Sequence, residues 1–214
     1  MEDFSFLKIV VTFIPLIIAV AVHEAAHGLA ADKLGDNTAR QLGRITLNPI
    51  KHIDPVLTIL LPGMLILSGS PIIFGGAKPV PVNIYNLRNP KRDMALVAAA
   101  GPASNFILAG IGSVFLLALN NLLGVNFYWL IIFFVQWIFI NIILAVFNLF
   151  PLPPLDGGRI MTGLLPRELA APYARLERYG FIILILLLFT GVISQYLMPI
   201  IELILQYIDF LLAI

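Results

Sequence analysis

The stretch from Phe4 to about Ala31 is almost wholly apolar and is long enough to cross the hydrocarbon core of a bilayer. The chain of 214 residues is 60% hydrophobic and 12% charged, whereas soluble domains carry roughly a quarter charged residues. These features predict a single integral membrane domain, residues 1–214, in contact with the lipid bilayer. No basic run is long enough to indicate nucleic-acid binding, and the absence of cysteine excludes thiolate metal ligands.

Further apolar segments predict an all-α polytopic membrane protein with about five to six hydrophobic helical segments. Residues 94–119 and 127–147 are long enough to span a bilayer, whereas the apolar run at residues 56–67 is too short for a full crossing. Residues 68–87 are rich in glycine and proline and contain short β-branched runs. We therefore expect residues 56–93 to form a small membrane-associated β or re-entrant region.

The carboxy-terminal apolar region, residues 179–214, is expected to hold two spans, or one span and an interfacial helix. Of the 13 Lys and Arg residues, all except Lys8 lie in residues 33–92 and 159–178. Cytoplasmic loops carry an excess of basic residues, so both regions are expected on the cytoplasmic side. The first helix, residues 1–31, then ends on that side. No eukaryotic targeting segment is evident, so we expect a multi-pass protein of a prokaryotic plasma membrane.

Two histidines and a glutamate, in the stretch VHEAAHG, interrupt the first apolar segment. Ionisable groups at membrane depth are costly and mark functional sites. His23 and His27 lie four residues apart and share one helical face. Two imidazole nitrogens can then reach one ion at about 2.0–2.1 Å, the distance that zinc prefers. In the H-E-x-x-H pattern, Glu24 is not a ligand but the general base that deprotonates a metal-bound water.

A catalytic zinc ion usually has three protein ligands and one open position, so a third ligand must come from elsewhere in the chain. The candidates are His52, Asp54, Asp156, Glu202 and Asp209. Asp156 is favoured because it is the only acid in residues 94–158 and lies in PLPPLDGG, where the prolines prevent a plain helix. Irregular backbone at membrane depth must be buried in protein or line a wet cavity. The alternative is a helix-capping Asp156 in an ordinary turn.

Three motifs together, in this order and spacing, resemble the site-2 protease family of intramembrane zinc metalloproteases. They are HEAAH, GPASN at residues 101–105, and the later N-x-x-P-x-x-P-L-D-G-G. The stretches GRITLNPIKHIDP and AKPVPVNIYNLRNPKRDMALVAAAGP resemble the compact branch, without a PDZ or regulatory domain. The resemblance implies one zinc ion held by His23, His27 and Asp156, with Glu24 as the catalytic acid/base. It also implies regulated intramembrane proteolysis, the hydrolysis of a peptide bond within or near a transmembrane segment of a membrane-protein substrate.

Polar residues outside these motif positions carry weaker expectations. Asn148 and Asn105 are expected to hydrogen-bond the extended substrate or the tetrahedral oxyanion, the alternative being hydrogen bonds between helices. His52 is expected to act as an auxiliary metal ligand or to structure its own loop. Gln136 and Asn141 belong to no motif and are expected to make contacts between helices.

Other functions stay open at this point: a catalytically silent membrane scaffold or regulator, a metal transporter, or a membrane zinc hydrolase of a non-protein amide. The intact Glu24 and Asp156 disfavour the scaffold. A single metal cluster and the absence of internal repeats disfavour the transporter. The active site is expected toward the cytoplasmic side, where the first helix ends. The substrate's identity and the oligomeric state are left open.

Overall fold

Helices form the regular secondary structure of the protein. The computed structural model describes residues 2–68, 75–123 and 128–213, and no strand occurs within these ranges. The α-helices are α1 (Glu2–Lys33), α2 (Thr38–Gln41), α3 (Leu61–Leu67), α4 (Pro90–Leu123), α5 (Tyr128–Asn148), α6 (Asp156–Leu164), α7 (Arg167–Ala174), α8 (Glu177–Phe189) and α9 (Val192–Ala213). Short 3₁₀ turns occupy Pro49–His52 and Ile84–Asn86, and a π-helical turn occupies Pro55–Leu60.

Four of the described helices are long and apolar enough to cross a membrane: Val10–Lys33 of α1, Pro90–Leu119 of α4, α5 and α9. The all-α polytopic prediction is therefore confirmed, but the count of five to six hydrophobic segments is not. In the carboxy-terminal apolar region, Gly191 takes a positive φ of 79° and separates α8 from α9. The 13 residues of α8 extend about 20 Å, which is short of the roughly 30 Å hydrocarbon core.

The predicted β or re-entrant region is also not confirmed. Residues 69–74 lie outside the described residues, and residues 75–83 carry no strand. Pro79 and Pro81 lack an N–H group, so this part of the chain cannot donate a regular ladder of hydrogen bonds. The Val80 N–H instead donates to a side chain, the carboxylate of Glu24.

Helix α4 is the centre of the helical bundle and packs against α1, α5 and α6. Near the middle of the α4–α5 contact, a Cβ at Gly112 would lie 2.5 Å from the Trp137 ring, so only a glycine permits this close approach. The indole N–H of Trp137 donates to the Leu108 carbonyl at 2.7 Å. Two apolar clusters then fix α9 along the bundle, one with Leu116 of α4 and the other with Leu152 and Leu155.

The connection between α1 and α4 is held by one buried carboxylate, Asp36. It accepts hydrogen bonds from the Thr38 N–H at 3.1 Å, the Asn83 N–H at 2.6 Å and the Asn86 amide at 3.0 Å, and also from the Thr38 hydroxyl. Burial alone would raise the pKa of Asp36, but these hydrogen bonds outweigh burial and hold the pKa below its usual value. Asp36 thereby ties the turn after α1 to the segment that leads into α4.

We expect Asp36→Ala to lower the free energy of unfolding by about 1–3 kcal/mol, because it leaves buried donors without an acceptor. A depressed folded-state pKa stabilises the protein above the unfolded-state value of about 3.9, and this contribution is lost as the pH falls through the folded-state pKa. In thermal unfolding of the detergent-purified proteins, the wild type should therefore have a higher unfolding temperature than Asp36→Ala at pH 7. This difference in unfolding temperature should narrow below about pH 4.

The matched control is Glu168→Ala, which removes an exposed carboxylate from α7. This variant should unfold like the wild type at both pH values. Equal unfolding temperatures for Asp36→Ala and the wild type at pH 7 would contradict the structural role of Asp36.

Candidate active site

Helix α1 carries the two motif histidines on one face. The His23 and His27 rings lie edge to face, with centroids 4.7 Å apart and an interplanar angle of 86°. Their Nε2 atoms are 3.1 Å apart. His23 is buried and His27 is nearly so. The helical spacing of four residues therefore directs two imidazole nitrogens to one point, as predicted from the sequence.

Asp156, the first residue of α6, reaches the same point from the other end of the chain. Its Oδ2 lies 3.1 Å from His23 Nε2 and 3.3 Å from His27 Nε2. The two glycines that follow allow α6 to begin against the irregular loop after α5. A Cβ at Gly157 would collide with the Leu149 carbonyl, and a Cβ at Gly158 would collide with the backbone just before α6. The LDGG sequence thus permits the placement of the carboxylate.

Hydrogen bonds on the far side of each ring determine which nitrogen faces this point. His27 Nδ1 lies 2.8 Å from the Val97 carbonyl oxygen, and His23 Nδ1 lies 2.6 Å from the Asn105 side-chain oxygen. Oxygens of this kind only accept, so each neutral ring carries its proton on Nδ1 and directs the lone pair of Nε2 inward.

The three inward atoms fit a metal ion. With the protons on Nδ1, neither ring can donate a hydrogen bond from Nε2 to Asp156 Oδ2. This buried oxygen has no other hydrogen-bond partner. Three lone-pair atoms about 3 Å apart repel one another unless a cation lies between them. A tetrahedral zinc ion with bonds of about 2.0–2.1 Å separates its ligand atoms by about 3.3 Å, close to the observed distances of 3.1–3.3 Å.

Glu24 lies beside this triad and does not join it. Its Oε2 accepts a hydrogen bond from the Val80 N–H at 2.7 Å. Together with His23, His27 and Asp156, it lines a cavity of about 210 Å³. The carboxylate therefore faces the same small space as the three inward atoms, and the Val80 N–H determines its position.

The two asparagines predicted to contact substrate differ in position. Asn148 lines the cavity and donates to the Leu144 carbonyl of its own helix, so its role in substrate binding stays a prediction. Asn105 is fully buried behind His23, and its amide is engaged by His23, Ala19 and Asn141. These contacts agree with the alternative of hydrogen bonds between helices, and the substrate or oxyanion contact of Asn105 stays a prediction.

The remaining candidate ligands lie elsewhere. His52 is buried within its loop, places Nε2 2.8 Å from the Thr46 carbonyl and does not line the cavity. This contact agrees with the loop-structuring alternative for His52, and its role as an auxiliary ligand stays a prediction. Asp54 caps the π-helical turn that follows it, and Glu202 and Asp209 are exposed on α9. Within the described residues, only His23, His27 and Asp156 form a group that could hold a metal ion.

A second cavity of about 650 Å³ adjoins the first. Arg159 lines both cavities, and its guanidinium donates to the Glu177 carboxylate at 3.1 Å. Lys91 also lines the second cavity. The lining of this larger cavity is mostly apolar, and its charged residues are Lys91, Arg159 and Glu177.

Comparison with known proteins decides the family. Residues 123–191 match the family model for peptidase family M50. A protein of Bacillus subtilis (strain 168), named "Putative zinc metalloprotease YwhC", is 44% identical over 191 residues, which cover 87% of this chain and 83% of that protein. The chain belongs to peptidase family M50, the site-2 protease family.

A second M50 relative has a similar name. "Putative zinc metalloprotease Rip2" of Mycolicibacterium smegmatis is 30% identical over 197 residues, which cover 91% of this chain and 71% of that protein. No solved structure matches the chain. Membership in the M50 family makes zinc the metal that the triad is suited to hold.

Several groups around the triad were not predicted from the sequence. The Val97 carbonyl and the Val80 N–H are backbone groups, which leave no residue-type signal. Asn141 was expected to make only a contact between helices, and it also supports Asn105. Gly101, in the GPASN motif, is a small residue of the kind expected to allow close packing, but the sequence did not show what it packs against. It faces both histidines: a Cβ there would lie 2.5 Å from the His27 ring and 2.6 Å from the His23 ring.

We expect Gly101→Ala to weaken zinc binding strongly, because the added methyl group would displace both histidine rings. Gly110→Ala is the matched control: it adds the same methyl group to the same helix, where no atom lies within 4 Å of the new Cβ. Zinc per protein should be measured on both purified variants by elemental analysis. Full zinc content in Gly101→Ala would contradict the described packing of α4 against the site.

Proposed function

We propose that this protein is an intramembrane zinc metalloprotease that hydrolyses a peptide bond within or near a transmembrane segment of another membrane protein. The observation that carries the proposal is the convergence of His23 Nε2, His27 Nε2 and Asp156 Oδ2 beside the carboxylate of Glu24. Two imidazoles and a carboxylate are a frequent ligand set of catalytic zinc. Membership in peptidase family M50 supports the same activity.

In this proposal His23, His27 and Asp156 hold one zinc ion per chain. When bound, zinc acidifies water and polarises the carbonyl of the scissile bond. Glu24 is the general base and acid. The Val80 N–H occupies Glu24 Oε2, so Oε1 takes a proton from the attacking water and returns it to the nitrogen of the cleaved bond.

The substrate must unwind before it can react. Each amide in a transmembrane helix is shielded by its own backbone hydrogen bonds, and the small cavity beside the triad has no room for an intact helix of about 10 Å diameter. We expect the unwound segment to lie along residues 77–82, which form one wall of the cavity. Asn148 also lines this cavity, and we expect its side chain to pair with a freed backbone group of the substrate.

The proposed setting is a prokaryotic plasma membrane, with the active site toward the cytoplasmic side. The basic residues other than Lys8 lie in residues 33–92 and 159–178, and the positive-inside rule favours the cytoplasm for these two regions. Lys91 and Arg159 line the adjoining larger cavity. Water would therefore reach the site through this cavity, and the substrate's transmembrane segment would enter from the lipid bilayer.

We expect purified wild-type protein to contain close to one zinc ion per chain and Asp156→Ala to contain clearly less, because one of three ligands is lost. The measurement is elemental analysis after dialysis against a weak chelator. Asp54→Ala is the matched control, since it removes a carboxylate outside the cavity. Undiminished zinc in Asp156→Ala would remove this residue from the metal site.

Glu24→Gln should abolish hydrolysis while zinc content stays normal, because the amide keeps the shape of the side chain but cannot accept the proton. Loss of general-base catalysis typically lowers the rate by a factor of about 10²–10⁴. The assay incubates reconstituted enzyme with a panel of single-span membrane peptides and detects products by mass spectrometry. Glu202→Gln, an exposed carboxylate on α9, is the matched control and should retain activity.

The same assay tests the other functions. Cleavage of lipid amides but of no peptide would replace the protease by a hydrolase of non-protein amides. A role in cells that survives Glu24→Gln would indicate a scaffold or a transporter, since neither requires a general base.

A further inference from the structure

A chain of hydrogen bonds runs behind His23, away from the cavity. His23 Nδ1 lies 2.6 Å from Asn105 Oδ1 on α4, and Asn105 Nδ2 donates to Asn141 Oδ1 on α5 at 2.9 Å. Asn141 Nδ2 in turn donates to the Trp137 carbonyl at 2.9 Å. Both asparagines have 0% exposure. The chain is therefore completed inside the protein, where water does not compete for its members.

The acceptor at the end of this series of hydrogen bonds determines how each amide group in it is oriented. The Trp137 carbonyl can only accept, so Asn141 must turn its NH₂ group toward it and its oxygen toward Asn105. Asn105 must then present its NH₂ group to α5 and its oxygen to His23. The Ala19 carbonyl, 3.3 Å from Asn105 Nδ2, favours the same orientation. Each member of the chain has one allowed orientation as long as Asn141 is present.

We propose that Asn141 is a positioning residue that locks the amide orientation of Asn105 and thereby holds the His23 proton on Nδ1. The inference rests on the proposed zinc site. The two ends of an amide group are similar in size, so without Asn141 only the longer hydrogen bond to the Ala19 carbonyl, at 3.3 Å, would select between the orientations of Asn105. If the Asn105 amide turned over, its NH₂ group would face His23 Nδ1 and the ring would carry its proton on Nε2. That nitrogen could then no longer bind a metal.

The two histidines differ in how they are held. His27 Nδ1 faces a backbone carbonyl, that of Val97, whose orientation is part of helix α4. His23 instead depends on a side chain that can rotate. A residue that fixes the amide orientation is therefore needed behind His23 and not behind His27. That residue, Asn141 of α5, does not line the cavity.

The test measures the zinc dissociation constant of full-length, detergent-purified protein by competition with a chelator of known affinity. Asn141→Leu should weaken zinc binding by about 10–100-fold, the range typical of losing a partner that orients a metal ligand. Gln136→Leu is the matched control, because it removes an amide from the same helix outside the hydrogen-bond chain. Its zinc affinity should match that of the wild type. Asn141→Ala supplies the same comparison if the leucine variant does not fold.

A second substitution tests whether Asn141 acts by orienting the Asn105 amide or by packing. A carboxylate presents an acceptor oxygen at both ends, so Asn105→Asp removes the need for a lock. Combined with Asn141→Leu, it should restore most of the zinc affinity that Asn141→Leu loses. Where Asn105→Asp alone keeps the zinc affinity of the wild type, a double variant as weak as Asn141→Leu alone would show that Asn141 acts through packing and would overturn the proposal.

The remaining outcomes are also decisive. Unchanged zinc affinity in both Asn141→Leu and Asn141→Ala, with a zinc-loaded wild type, would overturn the lock and leave the proposed zinc site intact. A wild type that binds no zinc even after resupply would overturn both the lock and the proposed protease.

Discussion

The mutual repulsion of three lone-pair atoms is the constraint on which the rest of this structure depends. His23 Nε2, His27 Nε2 and Asp156 Oδ2 lie 3.1–3.3 Å apart in a buried position, and the neutral rings with their protons on Nδ1 direct lone pairs at one another and at the carboxylate. In a medium of low dielectric constant such an arrangement is costly unless a cation compensates it. The features around the site serve to maintain it: the acceptors behind each ring, the glycine that lets α4 approach, and the glycine pair that lets α6 begin at the carboxylate.

The local part of the site was predictable because helical geometry depends on sequence spacing alone. Residues four apart on α1 must share a face, so the positions of His23 and His27 followed from HEAAH. Asp156 was reached by elimination and by resemblance of its motif. The role of Asn105 was not predictable, since it depends on how α4 is rotated relative to α1. The backbone groups of Val80 and Val97 have no sequence signature at all.

The fold, like the site, was predictable where it follows from the sequence pattern alone. Length and apolar content predict which helices can span a bilayer, and α1, α4, α5 and α9 agree with that expectation. The differences arose where single residues act on the backbone. Pro79 and Pro81 prevent the regular pairing that a β region requires. Gly191 divides the last apolar region into a short helix and one span, and so decides between the two arrangements expected there. A count of apolar residues does not register either effect.

The ligands of the triad come from distant parts of the chain, and this gives the site a mechanical role as well. His27 and Asp156 are 129 positions apart in the sequence (156 − 27 = 129). An ion bound by both would act as a cross-link that closes one long loop containing α4 and α5. Joining distant positions lowers the conformational entropy of the unfolded chain, and metal-binding free energy is to that extent folding free energy. A metal ion held by the triad would thus also fasten the first helix to the sixth.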